Sequence, residues 1–170
     1  RSPNHPKAVE VRALLDDADY TRAEQLHTVP AYLDYLEKHP AGKYFRKARH
    51  WAERLSYYDA ISRKDSVYLN NFLKRFPSGT FASDAETKFQ QTIYRDMRKK
   101  ESIGGYRRFL ARYKSAPSEV IAEATQRLER LLLDEAKVAP NELPIVRFIH
   151  DNPGSPYLPE ARRTLRERRF

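Results

Sequence analysis

The side chains in this sequence that could carry chemistry are five histidines, one pair of adjacent aspartates, one pair of glycines and several clusters of arginine and lysine. The histidines, His5, His27, His39, His50 and His150, fall in no H-E-x-x-H or other close ligand spacing. His39 and His150 lie near the ends of expected short helices, where an imidazole beside the last carbonyls is a capping group. His50 precedes the single tryptophan, Trp51, on an expected long helix and reads as packing or surface. Asp16 and Asp17 are neighbours on a helix, so their side chains diverge and cannot share a proton; they read as a solvated face. Gly104-Gly105 lacks the Lys-Ser/Thr that a phosphate cradle needs, and there is no G-x-S-x-G. With no cysteine there is no disulfide, thiol nucleophile or thiolate metal ligand. No catalytic, cofactor-binding or metal-ligating residue is assigned, no cofactor is expected, and the chain reads as a non-enzyme.

The cations are more informative. The net charge is +9 over 170 residues, unevenly spread. Residues 41–77 carry nine basic and three acidic side chains and residues 78–114 carry nine and four, whereas 1–40 and 115–153 are net acidic. A basic centre favours an anionic partner or an acidic protein surface. Its basic–aromatic interleaving, as in Lys74-Arg75-Phe76 and Tyr106-Arg107-Arg108-Phe109, could also contact phosphates with stacking rings. The rings, however, occupy positions that must pack neighbouring helices. What remains is a candidate partner-binding surface of Arg46, Lys47, Lys74, Arg75, Arg107 and Arg108.

The elements that must position these residues follow from self-similarity. Pro40 in EKHPAG and Pro77 in KRFPSG are 37 residues apart; a further 37 reaches Lys114 and a further 39 reaches Pro153. The same offsets align Tyr35, Phe72, Phe109 and Phe148; Leu36, Leu73, Leu110 and Ile149; Ala48, Ala85, Ala122 and Ala161; and Tyr20, Tyr57, Tyr94 and Leu131. Each period reads as a short helix, a Pro/Gly turn and a longer helix. Short helices are expected near 29–39, 66–76, 103–113 and 142–151, capped by Thr28, Asp65 or Ser66, Ser102 and Asn141. Long helices are expected near 6–26, 43–63, 80–101, 118–138 and 156–169, opening at Thr80, Ser118 and Ser155. No period-2 alternation predicts a strand. Gly79 is expected to permit the turn, and Gly104-Gly105 to fray or delay the third short helix. The junction 137–141 is expected to absorb the two extra residues of the last period. Pro3 reads as the turn proline of an incomplete first unit, which makes 1–170 a single helical-repeat domain and a segment of a longer protein. No apolar run approaches the roughly 20 residues needed to cross a bilayer.

The pattern Y-x-x-[YF]-L-x-x-[HF]-P-x-G-x-[YF]-x-x-x-A, seen as YLDYLEKHPAGKYFRKA at 32–48 and in LNNFLKRFPSGTFASDA at 69–85, resembles tetratricopeptide-like repeats. Such repeats occur in bacterial outer-membrane assembly lipoproteins and Tol–Pal-associated coordinators. They also occur in caspase-like and formylglycine-generating-enzyme-like multidomain proteins. Weaker copies at 106–122 and 145–161 extend the resemblance over nearly the whole chain. It implies a binding scaffold and, by resemblance alone, leans toward the bacterial envelope. The expected fold is therefore an all-α, right-handed solenoid of about 4.5 helix-turn-helix units. The expected function is a protein–protein interaction scaffold with an acidic partner or a neighbouring domain of the same polypeptide. A nucleic-acid-binding module and a structural spacer in a larger protein are the alternatives.

Overall fold

The computed structural model describes residues 6–168; residues 1–5, with Pro3 and His5 among them, and residues 169–170 lie outside them. Among the described residues the protein is all-helical. Nine helices alternate long and short: α1 (Pro6–Leu26), α2 (Val29–Lys38), α3 (Phe45–Ser62), α4 (Ser66–Arg75), α5 (Ala82–Arg98), α6 (Ile103–Arg112), α7 (Ser118–Val138), α8 (Leu143–Asp151) and α9 (Leu158–Arg168). No described helix is long and apolar enough to cross a membrane. The chain forms two compact units, Arg1–Phe89 and Gln90–Phe170, with the division inside α5.

In the first unit α1 packs on α2, α2 on α3 and α3 on α4. The core is built from Tyr20, Tyr32, Tyr35, Tyr57, Leu69, Phe72 and Phe76, with Ala48, Ala52 and Ala85 allowing close helix approach. In the second unit α6 packs on α7, α7 on α8 and α8 on α9. Its buried residues form one cluster around Tyr94, Tyr106, Phe109 and Ala124 and another around Leu133, Ile145, Phe148 and Ala161.

Local chemistry sets the helix ends. Thr28 accepts from the Ala31 amide, Asp65 from the Val67 amide and Ser102 from the Gly105 amide, each from an extended cap residue. Before α8 the cap residue is Glu142, and Asn141 instead accepts from the Leu143 amide at 3.0 Å in an Asx turn. The long helices α3, α5 and α9 each begin two residues later than the sequence suggests. The turn first closes on itself, with Phe45, Ala82 and Leu158 amides donating to the carbonyls of Gly42, Gly79 and Ser155.

Three expectations are corrected. Gly104-Gly105 does not delay α6, which starts at Ile103; Gly105 is buried, and its amide completes the Ser102 cap. Gly79 and Gly42 do not have positive φ, so backbone freedom is not why glycine stands there. The two extra residues do not fall at 137–141. From the last buried residue of a long helix to the first of the next short one is nine residues at the last junction, Ala136 to Ile145, as at the first two, Ala23 to Tyr32 and Ala60 to Leu69. Across the turn, Tyr35 to Ala48, Phe72 to Ala85 and Phe148 to Ala161 are each 13 apart, but Phe109 to Ala124 is 15. The extra residues therefore enter between α6 and α7, where Pro117 caps α7 and the helix gains half a turn. Ala124 and Leu133 occupy the buried columns expected of Ala122 and Leu131, which are exposed and half-buried.

Candidate functional site

A recurring polar latch holds the first three turns against the preceding long helix. Asp16, Glu53 and Gln90, 37 residues apart, are only 9%, 5% and 2% exposed. Asp16 accepts from the Lys43 amide at 2.7 Å and from the Tyr35 hydroxyl, which itself accepts from the Tyr44 amide at 3.1 Å. Glu53 accepts from the Phe81 amide at 2.9 Å, and Gln90 donates to Ser115 Oγ at 3.2 Å. Glycine follows from this packing: a Cβ on Gly42 would stand 2.8 Å from Asp16 Oδ1, and one on Gly79 would collide with the Glu53 carboxylate. Stacked rings flank the first two latches, Tyr20 on Tyr44 at 4.2 Å and Tyr57 on Phe81 at 4.6 Å. Burial pushes the Asp16 carboxyl up, but the Tyr35 hydroxyl and Lys43 amide outweigh it and hold it below the usual range. Burial and the Asp16 hydrogen bond push the Tyr35 phenol up; burial and Asp84 push Tyr57 up to about 12. Asp16 is thus buried rather than on a solvated face, whereas Asp17 does face outward and meets Lys43 Nζ at 3.3 Å.

His39 caps α2 through its backbone, while its imidazole bridges to Asp19 on α1 at 2.8 Å and stacks on Tyr35. His27 hydrogen-bonds the Tyr32 hydroxyl and packs edge-on to Trp51. His150 is exposed and pairs with Asp151. No group of three or more His, Asp or Glu among the described residues is placed to hold a metal ion.

Shallow grooves open at one equivalent position beside three of the short helices. The groove beside α4, about 630 Å³, is walled by Ser56, Asp59 and Ala60 of α3 and by Tyr68, Asn71, Lys74 and Arg75 of α4. The groove between α5 and α6 is about 560 Å³ and the one between α7 and α8 about 510 Å³. Allowing for the two-residue step, Asn71 corresponds to Arg108 and Arg147, and Ala60 to Met97 and Ala136.

The structure sorts the six candidate cations into separate places. Lys74 and Arg75 share the α4 groove and make no ion pair among the described residues. In that groove Asp59 is bridged by Arg63, whose guanidinium also covers the Tyr68 ring at 4.3 Å. Ser56 Oγ is buried there without a hydrogen-bond partner among the described residues. Arg108 lines the α5–α6 groove and Arg107 the α7–α8 groove, where a second cation, Arg147, and two carboxylates, Glu135 and Asp151, also stand. Arg46 and Lys47 are exposed on the first turn of α3, with Lys47 over the Tyr44 ring, and line none of these grooves. Arg112 and Arg147 are groove cations that the sequence reading missed; their signal was their register with Arg75 and Asn71. No protein-family model matches the chain, and comparison with curated proteins gives no match.

Proposed function

We propose that the protein is a non-catalytic protein–protein interaction scaffold. On this reading it is a right-handed solenoid of about 4.5 tetratricopeptide-like hairpins whose short-helix face holds a partner segment. The observation that supports it is the recurrence of one kind of groove, with a packed apolar floor and cations at its rim, beside α4, α6 and α8. A repeated shallow groove suits an extended chain better than a compact metabolite, which prefers a single enclosed cavity. The buried carboxylates Asp16 and Glu53 and the buried amide Gln90 are spent on latching turns rather than converging on one site.

Peptide display against the folded chain tests this. Selected peptides should compete with one another and lose affinity when groove residues are altered; selection that returns no groove-dependent binder counts against it. The unpaired cations also favour a second reading, a polyanion-binding module. That reading requires a mobility shift of DNA or RNA that collapses by several decades of affinity between low and physiological salt. Absence of a shift at low salt removes it.

A further inference from the structure

The α5–α6 groove differs from its counterparts in charge. Its floor is Ile93, Met97, Phe109 and the half-buried Tyr113 ring, and its rim carries Arg108 and Arg112, one turn apart on α6. No acidic side chain lines it. Asp96 corresponds to Asp59 and Glu135 of the other two grooves, but it pairs with Lys99 at 3.0 Å and with Arg95. Arg108 makes no ion pair or hydrogen bond among the described residues, and Arg112 only approaches the Tyr113 ring, at 5.7 Å. The Arg108 guanidinium lies beside Gly104, where a Cβ would stand 3.4 Å from Nη1, an ordinary contact.

We infer that this groove binds an extended acidic peptide, with an apolar side chain on the Ile93–Met97–Phe109 floor and neighbouring carboxylates on Arg108 and Arg112. This rests on the interaction reading above and names its ligand. Unpaired arginines offer bidentate donors to carboxylates without first breaking an internal pair. Met97 supplies a floor that adapts to the incoming side chain. A nucleic acid fits less well, because Phe109 is buried in the core, Tyr113 lies beneath Arg112, and no ring is left to stack on a base.

The test is fluorescence anisotropy with end-capped peptides alternating Asp/Glu with Leu, the same peptides with Leu replaced by Ser, and a single-stranded oligonucleotide of equal charge. Arg108→Glu/Arg112→Glu changes only exposed side chains, and circular dichroism checks that it folds. The variant should bind the Leu peptide at least about tenfold more weakly, as should wild type the Ser peptide. Unchanged affinity in the variant, equal binding of the Ser peptide, or displacement of the peptide by an equimolar oligonucleotide would each overturn the inference. Loss of binding only in Lys74→Glu/Arg75→Glu overturns it while leaving the interaction reading standing. Binding of no peptide by any form counts against both.

Discussion

At the residue scale, the most consequential side chain is Asp16, a carboxylate buried in order to hold a turn. Its pKa is lowered in the folded state, so its contribution is full above the ordinary carboxyl value of 3.8 and is lost as pH falls through the lower folded value. Asp16→Asn should lower stability by about 1–3 kcal/mol at neutral pH, because the Lys43 amide and Tyr35 hydroxyl keep only a weaker acceptor. It should also flatten the acid limb of the stability–pH curve. Chemical denaturation at pH 7 and near pH 3 measures both; equal pH dependence in variant and wild type would rule out the latch as described. The sequence alone carries no warning of it, since Asp16 beside Asp17, and single Glu and Gln side chains on long helices, look like solvated positions. Only their shared register, in line with Gly42 and Gly79, marks them in retrospect.

At the scale of elements, helix class, order and most caps were legible because they are local: Thr28, Asp65 and Ser102 bond within their own first turns. The two-residue step was not legible, because Ala122 or Ala124, and Leu131 or Leu133, satisfy helical spacing equally well until burial distinguishes them. The long-to-short junctions carry a further period. His27, Lys64 and Glu101 have φ of 46°, 52° and 28°, 37 residues apart, and Pro140, which cannot take positive φ, stands at the fourth. Relieving the left-handed strain with Lys64→Gly should raise stability by about 0.5–1 kcal/mol after the cost of glycine's extra freedom in the unfolded chain. A lower melting temperature would contradict this. The α6 glycines should behave oppositely to each other. Gly104→Ala meets only the end of Arg108 and should gain roughly 0.5 kcal/mol of helix propensity. Gly105→Ala would place a Cβ 2.8 Å from Ser102 Oγ and so disturb the cap, leaving it about 1 kcal/mol or more below Gly104→Ala. Equal melting temperatures for the pair would refute that division.

For the whole molecule, the basic centre read from composition resolves into places with different surroundings. Lys74 and Arg75 line one groove, Arg108 and Arg112 another, and Arg107 and Arg147 share a third with two carboxylates. Arg46 and Lys47 stand on exposed helix beside a turn. Composition records the charge but cannot record which cations already have partners or an apolar floor beside them. That distinction also separates a scaffold, whose binding depends on grooves, from a polyanion binder, for which cations at any exposed position count alike. The most direct measurement is the affinity of a display-selected peptide for three charge-reversed pairs: Lys74→Glu/Arg75→Glu, Arg108→Glu/Arg112→Glu and Arg46→Glu/Lys47→Glu. Each removes the same charge. A loss of about tenfold or more in one or both groove pairs, with the α3 pair close to wild type, is the expected result; equal losses in all three, or none in any, would contradict it.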